Sequence, residues 1–347
     1  MVTDSTGLVV LSQRLGAPGP HEARLEDAGA RVQSVALFTS DQIAAGAGDA
    51  DVVILGAVEP FDAAALAALP NLRAVVRRGV GHDNVDVEAA TRLGIVVANV
   101  PDASVEEVSD HALGMLLALE RNVARLDRAI RQGRWQEDPA GVQQIRVSSR
   151  RLSDLTLGVV GFGRIGRALV RKARSVYPEI IVTDPAADEA AVSAAGAQLV
   201  GLHPLLQRAD HVSLHVPMAS SNRHLIGADE LAEMRAGAVL VNTARGGLVD
   251  EAAAVAAVRS GHIRGVGLDV TAQEPLPADA AVFTVEDNVL LTGHAAAWSE
   301  TAANDLAAGS VDAVEALLAG RLPRSLVNPE VLRSPMLRIR ELTVAAH

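Results

Sequence analysis

Three side chains in the C-terminal half have the types and spacing to do chemistry: Arg245 in VNTARGGLVDE, Glu274 in GLDVTAQEPLP and His294 in LTGHAAAWSE. A cation, a carboxylate and an imidazole supply what reduction of a 2-oxo acid needs. They lie downstream of a glycine-rich turn, GVVGFGRIG, that ends at Gly166. Taken singly, each has an ordinary structural role: a salt bridge for Arg245, an exposed place in a Pro-flanked loop for Glu274, a satisfied ring at a strand end for His294. Together with the turn they read as hydride-transfer chemistry.

The glycines have definable tasks. Gly161 permits a tight strand-to-helix turn, Gly163 lets the backbone approach a pyrophosphate, and Gly166 allows close packing of helix on strand, so that Arg164 and Ile165 begin a helix whose N-terminus faces the anion. Asp184 closes EIIVTD, 23 residues after Gly161, near the spacing of about 20 expected for a carboxylate on a ribose 2′-hydroxyl. No arginine directly follows it to meet a 2′-phosphate, which favours NAD over NADP. The structural alternative for Asp184 is a turn residue before Pro185.

Elements that hold such groups are legible as short apolar runs alternating with Ala-rich helical stretches. GLVVLS, ADVVILGAV, LRAVVRRG and GIVVANV form one series; LTLGVVGFG, EIIVTDP, DHVSLHVP, AVLVNTARG, IRGVGLDV and NVLLTGH form a second. This βαβ rhythm implies parallel sheets buried by helices on both faces. It pauses after Pro101, where DASVEEVSDHALGMLLALERNVARL predicts a long helix with Asp102 or Ser104 as N-cap. The expected fold is α/β, with two Rossmann-like or flavodoxin-like domains and an active site in the cleft between them. Residues 1–101 and 299–347 would make a discontinuous substrate-binding domain and 102–298 the NAD-binding domain. The pattern alone does not establish the return of 299–320 to the first domain, and the tail beyond Pro329 is unassigned.

A length of 347 residues favours two domains over one. The formal charge of −11 opposes polyanion binding unless a local basic patch overcomes it. Residues 121–151 are the one candidate, with eight arginines and Trp135 as their only aromatic, and the spacing of Arg121, Arg125 and Arg128 suits a solvated or intersubunit helix face. The absence of cysteine excludes disulfides, thiolate metal sites and cysteine nucleophiles. No apolar run reaches the roughly 20 residues of a spanning helix, and Asp4 stands where a secretory signal wants basic residues. Cytoplasmic location, no nucleic acid and no membrane are the expectations. Lys172, the sole lysine, sits in the helix after the glycine turn, a poor place for a Schiff base. His82, His111, His203, His211, His224 and His262 show no ligand-like grouping, so no metal is expected.

At VNTARGGLVDE, GLDVTAQEPLP and GHAAAWSE the chain resembles the D-isomer-specific 2-hydroxyacid dehydrogenases, a family that includes phosphoglycerate dehydrogenases and the C-terminal-binding-protein corepressors. The likeness runs from about Leu72 in LRAVVRRGVGHDNVD, through NVPDASVEEVSDHALGMLLAL, to about Asn328. It implies that Arg245 polarises the substrate carbonyl and pairs with its carboxylate, that His294 exchanges the proton, and that Glu274 pairs with His294. A carboxylate beside imidazole favours the charged ring, so His294 is expected to act as general acid in reduction and base in oxidation. The resemblance also implies a homodimer, with residues 121–151 as a candidate arm. Its competing branch is an NAD(H)-sensing, corepressor-like binding protein with little turnover.

The same resemblance assigns further positions. Backbone amides at Val80 and Gly81, in RRGVGHDN, receive the carboxylate, with Gly79 and Gly81 permitting the close approach. Arg77 matches a position often arginine in the phosphoglycerate-dehydrogenase and corepressor branches, whereas Arg78 stands where a small or apolar residue is commoner. Either guanidinium would suit a polar or anionic group distal to the 2-oxo acid; a salt bridge is the alternative for Arg78. Val108, His215, Val216, Pro217, Thr243, Ala244 and Asp269 match cofactor-side positions. Trp298, one place later than the corepressor tryptophan, is either a substrate-pocket wall or a packing residue.

Overall fold

The computed structural model describes residues 7–285 and 287–339. The chain divides into two compact units, the described residues of Met1–Ser104 with Ser299–His347 and those of Val105–Trp298. No helix among the described residues is long and apolar enough to cross a membrane.

In the first unit, strands β1 (Leu8–Ser12), β2 (Arg31–Val35), β3 (Val52–Leu55), β4 (Ala74–Arg77) and β5 (Val96–Asn99) form a parallel sheet in the order 2-1-3-4-5, the order of flavodoxin-like sheets. Successive side chains point to opposite faces of a strand. Leu8, Val10, Val53 and Val75 therefore pack in one core layer with Ile43, Leu66 and Phe61, while Val9, Leu11, Ile54 and Val76 pack in another with Leu25, Val311, Val314 and Leu317. The last three belong to the helix Glu300–Leu318, so the chain returns to this sheet. The segment after it is also bound here: Val331 and Ile339 are buried, and the Arg338 Nη1 donates to the carbonyls of Leu69, Pro70 and Leu72 at 2.8–3.1 Å.

In the second unit, β6 (Thr156–Val160), β7 (Glu179–Thr183), β8 (Gln198–Leu199), β9 (His211–Leu214), β10 (Val239–Asn242), β11 (Gly265–Leu268) and β12 (Val289–Leu291) form a parallel sheet in the order 12-11-10-9-6-7-8. The order reverses beside β6, and ligands of such sheets bind at the carboxyl ends of the strands at the reversal.

The single long helix expected after Pro101 is broken. It runs Val105–Glu120, then stops at Asn122, whose φ of 54° is left-handed. Asparagine tolerates that region, and its Nδ2 binds the Ile145 carbonyl and the hydroxyls of Ser148 and Ser149. Three helices follow, Val123–Arg131, Arg134–Glu137 and Pro139–Val147. Their arginines are largely paired: Arg125 and Arg128 with Asp287, Arg131 with Asp127, Arg134 with Asp138, Arg150 with Glu120 and Asp210.

Candidate active site

Each glycine of the turn after β6 meets a steric demand. Gly161 has φ +98°, and a Cβ there would lie 2.5 Å from the His215 carbonyl oxygen. A Cβ on Gly166 would lie 2.0 Å from the Gly161 oxygen, whereas one on Gly163 would meet nothing within 4 Å. The first and third glycines thus close the turn and the middle one opens it. The helix Arg164–Ala173 begins without a side-chain cap, leaving its first N–H groups for an anion.

Asp184 lies at the end of β7. One of its oxygens accepts from the Phe162 N–H inside the turn at 2.7 Å and the other from Ala186 N–H at 2.8 Å. It is therefore a turn residue that also fixes the glycine loop, and a carboxylate oxygen has lone pairs left for a hydroxyl.

Buried polar atoms test whether a cofactor fits the remaining positions. The Thr243 Oγ1 and the His215 Nδ1 are buried with no hydrogen-bond partner among the described residues, and such groups are costly unless a ligand or water satisfies them. His215 Nε2 meets the Ser213 hydroxyl at 2.8 Å, and burial pushes its pKa down to about 4, so it is a neutral ring that shapes the loop. Lys172 is pinned by Glu106, Asp110 and Ser109 at 2.6–2.9 Å, away from covalent chemistry. The donor set fits a dinucleotide.

The three candidate side chains Arg245, Glu274 and His294 stand on loops following β10, β11 and β12. Asn242, fully buried, folds back on the first loop: its Nδ2 donates to the Arg245 carbonyl at 2.8 Å and its Oδ1 accepts from Ala244 N–H at 3.0 Å. The next residue packs so closely on the second loop that a Cβ on Gly246 would lie 2.0 Å from the Thr271 carbonyl carbon. From that second loop Glu274 reaches His294, Oε2 to Nδ1, at 2.7 Å. Both side chains keep about a third of their surface in solvent, accessible to a reactant.

The backbone of the third loop is unusual. Gly293 and His294 have φ of 62° and 60°, a region non-glycine residues seldom occupy. Asp269, 2% exposed, over-determines it. Its carbonyl accepts from His294 N–H, and its carboxylate accepts from Ala295 N–H at 2.8 Å, Ala296 N–H at 3.1 Å and the Thr292 hydroxyl at 2.6 Å. His111 Nε2 meets that same hydroxyl at 2.9 Å. Asp269, matched by resemblance to a cofactor position, thus also braces the imidazole. Nothing in the sequence singles out Asn242 or Thr292, and His111, set aside there as having no ligand-like grouping, joins this brace.

Burial pushes the Glu274 carboxyl up, but the hydrogen bonds from His294 and Thr271 N–H and the charges of His294 and Arg245 outweigh it and hold it below the usual carboxylate value. Glu274 is anionic near neutrality. A carboxylate can only accept, so Nδ1 of His294 carries a proton and Nε2 is the atom left to exchange one.

Residues 113–296 match the family described as D-isomer specific 2-hydroxyacid dehydrogenase, NAD binding domain. The chain belongs to the D-isomer-specific 2-hydroxyacid dehydrogenases. It is 38% identical to a glyoxylate reductase of Korarchaeum cryptofilum over 82% of this chain and 85% of the relative. With a D-3-phosphoglycerate dehydrogenase of Methanocaldococcus jannaschii the identity is 36% over 88% of this chain, which spans 56% of that relative. The crystal structure of an Aquifex aeolicus D-lactate dehydrogenase complexed with NAD and lactic acid is similar at TM-score 0.81 and 26% identity, over 90% of this chain and 96% of that one. These likenesses support an oxidoreductase, and the corepressor-like alternative gives way. The dehydrogenase carries its nucleotide-binding fold in the second unit.

In the first unit, Arg78 makes the salt bridge that was one of its two readings. The side chain is 11% exposed, its partner is Glu22, and its Nε donates to the Ser310 hydroxyl at 3.0 Å. The charge is committed to tying two helices to β4. Arg77 lies differently, folded over Gly79, where a Cβ would sit 1.4 Å from its Nη1; the φ of +149° there also needs glycine. Trp298, for which packing was one alternative, is 69% exposed and lines a groove of about 520 Å³ with His111, Met115 and Ala296.

Proposed function

We propose that the protein interconverts small D-2-hydroxy acids and 2-oxo acids with NAD, and that it favours substrates whose distal group is polar or anionic. The observation that carries this is the 2.7 Å contact between Glu274 and His294, on loops packed beside the one that carries Arg245. The nicotinamide, when bound, supplies or accepts the hydride. Arg245 polarises the carbonyl and pairs with the carboxylate, the amides of Val80 and Gly81 receive that carboxylate, and Nε2 of His294 delivers the proton to the developing alkoxide. In oxidation Nε2 takes the proton back.

Arg77 is the residue proposed to meet the distal group, Arg78 being occupied by Glu22. The pyrophosphate is assigned to the turn with Gly161, Gly163, Arg164, Ile165 and Gly166. The rest of the cofactor is assigned to Asp184, Pro185, Val108, Val216, Pro217, Thr243 and Ala244. Asp184 supports NAD over NADP, since a 2′-phosphate would face a carboxylate. The proposal includes a homodimer through residues 121–151, supported by the exposed apolar Val123, Ile130, Trp135 and Val147, and a cytoplasmic setting.

The test is NADH oxidation with glyoxylate, hydroxypyruvate, pyruvate, longer 2-oxo acids and phosphorylated analogues, with His294→Ala alongside. Turnover of at least one acid that falls a hundredfold or more in the variant is expected. Undiminished turnover in His294→Ala would sink the proton-transfer role, and an unchanged preference between anionic and apolar acids in Arg77→Ala would sink the distal-group role.

A further inference from the structure

We propose that Asn99 and Ser325, together with the backbone N–H of Val100, form a positioning device that aims the two amides of the carboxylate loop. The inference rests on the reading that Val80 and Gly81 N–H meet the substrate carboxylate.

A trans peptide is planar, so its C=O and N–H point in opposite directions. The carbonyl of Gly79 accepts from Val100 N–H at 3.0 Å, and the N–H of Val80, in the same peptide, is turned away from that contact. The carbonyl of Val80 accepts from the Nδ2 of Asn99 at 2.6 Å, which turns the N–H of Gly81 away in the same manner. Neither N–H donates a hydrogen bond among the described residues. Two successive N–H groups released on the side opposite their anchored carbonyls make an anion-binding concavity. Its direction is set by residues 99 and 100, at the end of β5.

Asn99 can do this only with its amide one way round, since a flip would set Oδ1 against the Val80 oxygen, acceptor against acceptor. Ser325 prevents the flip by donating its hydroxyl to Oδ1 of Asn99 at 2.5 Å. Ser325 is itself held in register. Leu326 bridges antiparallel to Ala98, Val327 N–H donates to the Val97 carbonyl at 2.8 Å, and the buried Asn328 side chain accepts from Val97 N–H and donates to the Ile95 carbonyl at 2.8 and 3.0 Å. A segment more than 200 residues later in the chain thus covers the free edge of β5 and reaches the carboxylate loop through two consecutive hydrogen bonds.

The experiment compares wild type, Asn99→Ala, Ser325→Ala and the conservative Ser325→Thr, all NADH-loaded. Oxamate affinity is measured by calorimetry, KM for glyoxylate and for NADH by turnover, and integrity by thermal melting. Oxamate binding and glyoxylate KM should weaken about tenfold in Asn99→Ala and roughly threefold in Ser325→Ala, with NADH KM unchanged and Ser325→Thr restored. A merely structural role would lower the melting temperature without separating the two KM values. Wild-type oxamate affinity in both alanine variants overturns the device, as does a wild-type protein that binds no oxamate. Wild type that binds oxamate but reduces no 2-oxo acid sinks the oxidoreductase reading, while the variants' oxamate affinities still decide the device.

Discussion

The Oε2 of Glu274 lies 2.7 Å from the Nδ1 of His294, although the two residues stand on different loops, and this contact fixes which ring nitrogen is left for chemistry. Glu274→Gln replaces an obligatory acceptor with an amide that can donate, which removes both the tautomer lock on the ring and the negative charge beside it. A fall in kcat of about a hundredfold is expected, within the span usual for general acid–base groups, with NADH affinity retained. Steady-state kinetics with the best 2-oxo acid checks this; a kcat within twofold of wild type would show that the pair is structural.

The close approach of Gly246 to Thr271 joins the loop of Arg245 to the loop of Glu274. Gly246→Ala inserts a methyl where a backbone carbon lies 2.0 Å away, and backbone cannot rotate aside as a side chain can. One of the loops must shift. Overpacking of this kind costs about 1–3 kcal/mol, and a displacement of about 1 Å can cost a hundredfold in rate. Melting temperature and kcat measured together should both drop, whereas Gly163→Ala, with open space around its Cβ, should spare the melt and weaken NADH.

Asp184 braces the glycine turn, and substitution separates that task from its proposed contact with the ribose. Asp184→Ala should raise NADH KM about tenfold and narrow the preference for NADH over NADPH. It should also cost about 1 kcal/mol of stability, because Phe162 N–H and Ala186 N–H lose their acceptor. Asp184→Asn, which keeps an acceptor oxygen, should recover more of the stability than of the selectivity. Parallel titrations with both nucleotides check this, and an unaltered NADH/NADPH ratio would remove the ribose from the role of this carboxylate.

What was legible in the sequence follows from burial. Ten strands showed as Val/Ile/Leu runs because parallel strands covered on both faces have no polar side to display. β2, RVQSV, is half exposed at a sheet edge, and β8 has two residues, so neither left an apolar run. Arg245, Glu274 and His294 were legible from residue type and motif. Their braces were not, because Asn242, Thr292 and the carboxylate of Asp269 act through contacts that only the folded loops create. The salt bridge offered for Arg78 had no identifiable partner for the same reason: Glu22 and Ser310 lie 56 residues before and 232 after it.

Stability should fall steadily with acid through one buried network in the second unit. His211, fully buried, meets the Tyr177 hydroxyl at Nδ1, 2.7 Å away, and Glu120 at Nε2, 3.0 Å away, which suits a neutral ring. Burial lowers its pKa below 6.5 against the pull of Glu120. Burial likewise pushes Glu120 up, but His211 and Arg150 outweigh it and bring its carboxyl down to about 2. The signs agree. Below pH 6.5 the unfolded chain binds a proton at His211 that the folded chain refuses, and between 4.5 and about 2 it does so at Glu120, so unfolding gains on both counts. The Glu120 part is on the order of 3 kcal/mol at neutral pH. Denaturant titrations from pH 7 to 3 should show stability declining from about pH 6.5, and His211→Gln should remove the upper part of that decline. A profile flat down to pH 4 in wild type would show that this network does not govern acid stability.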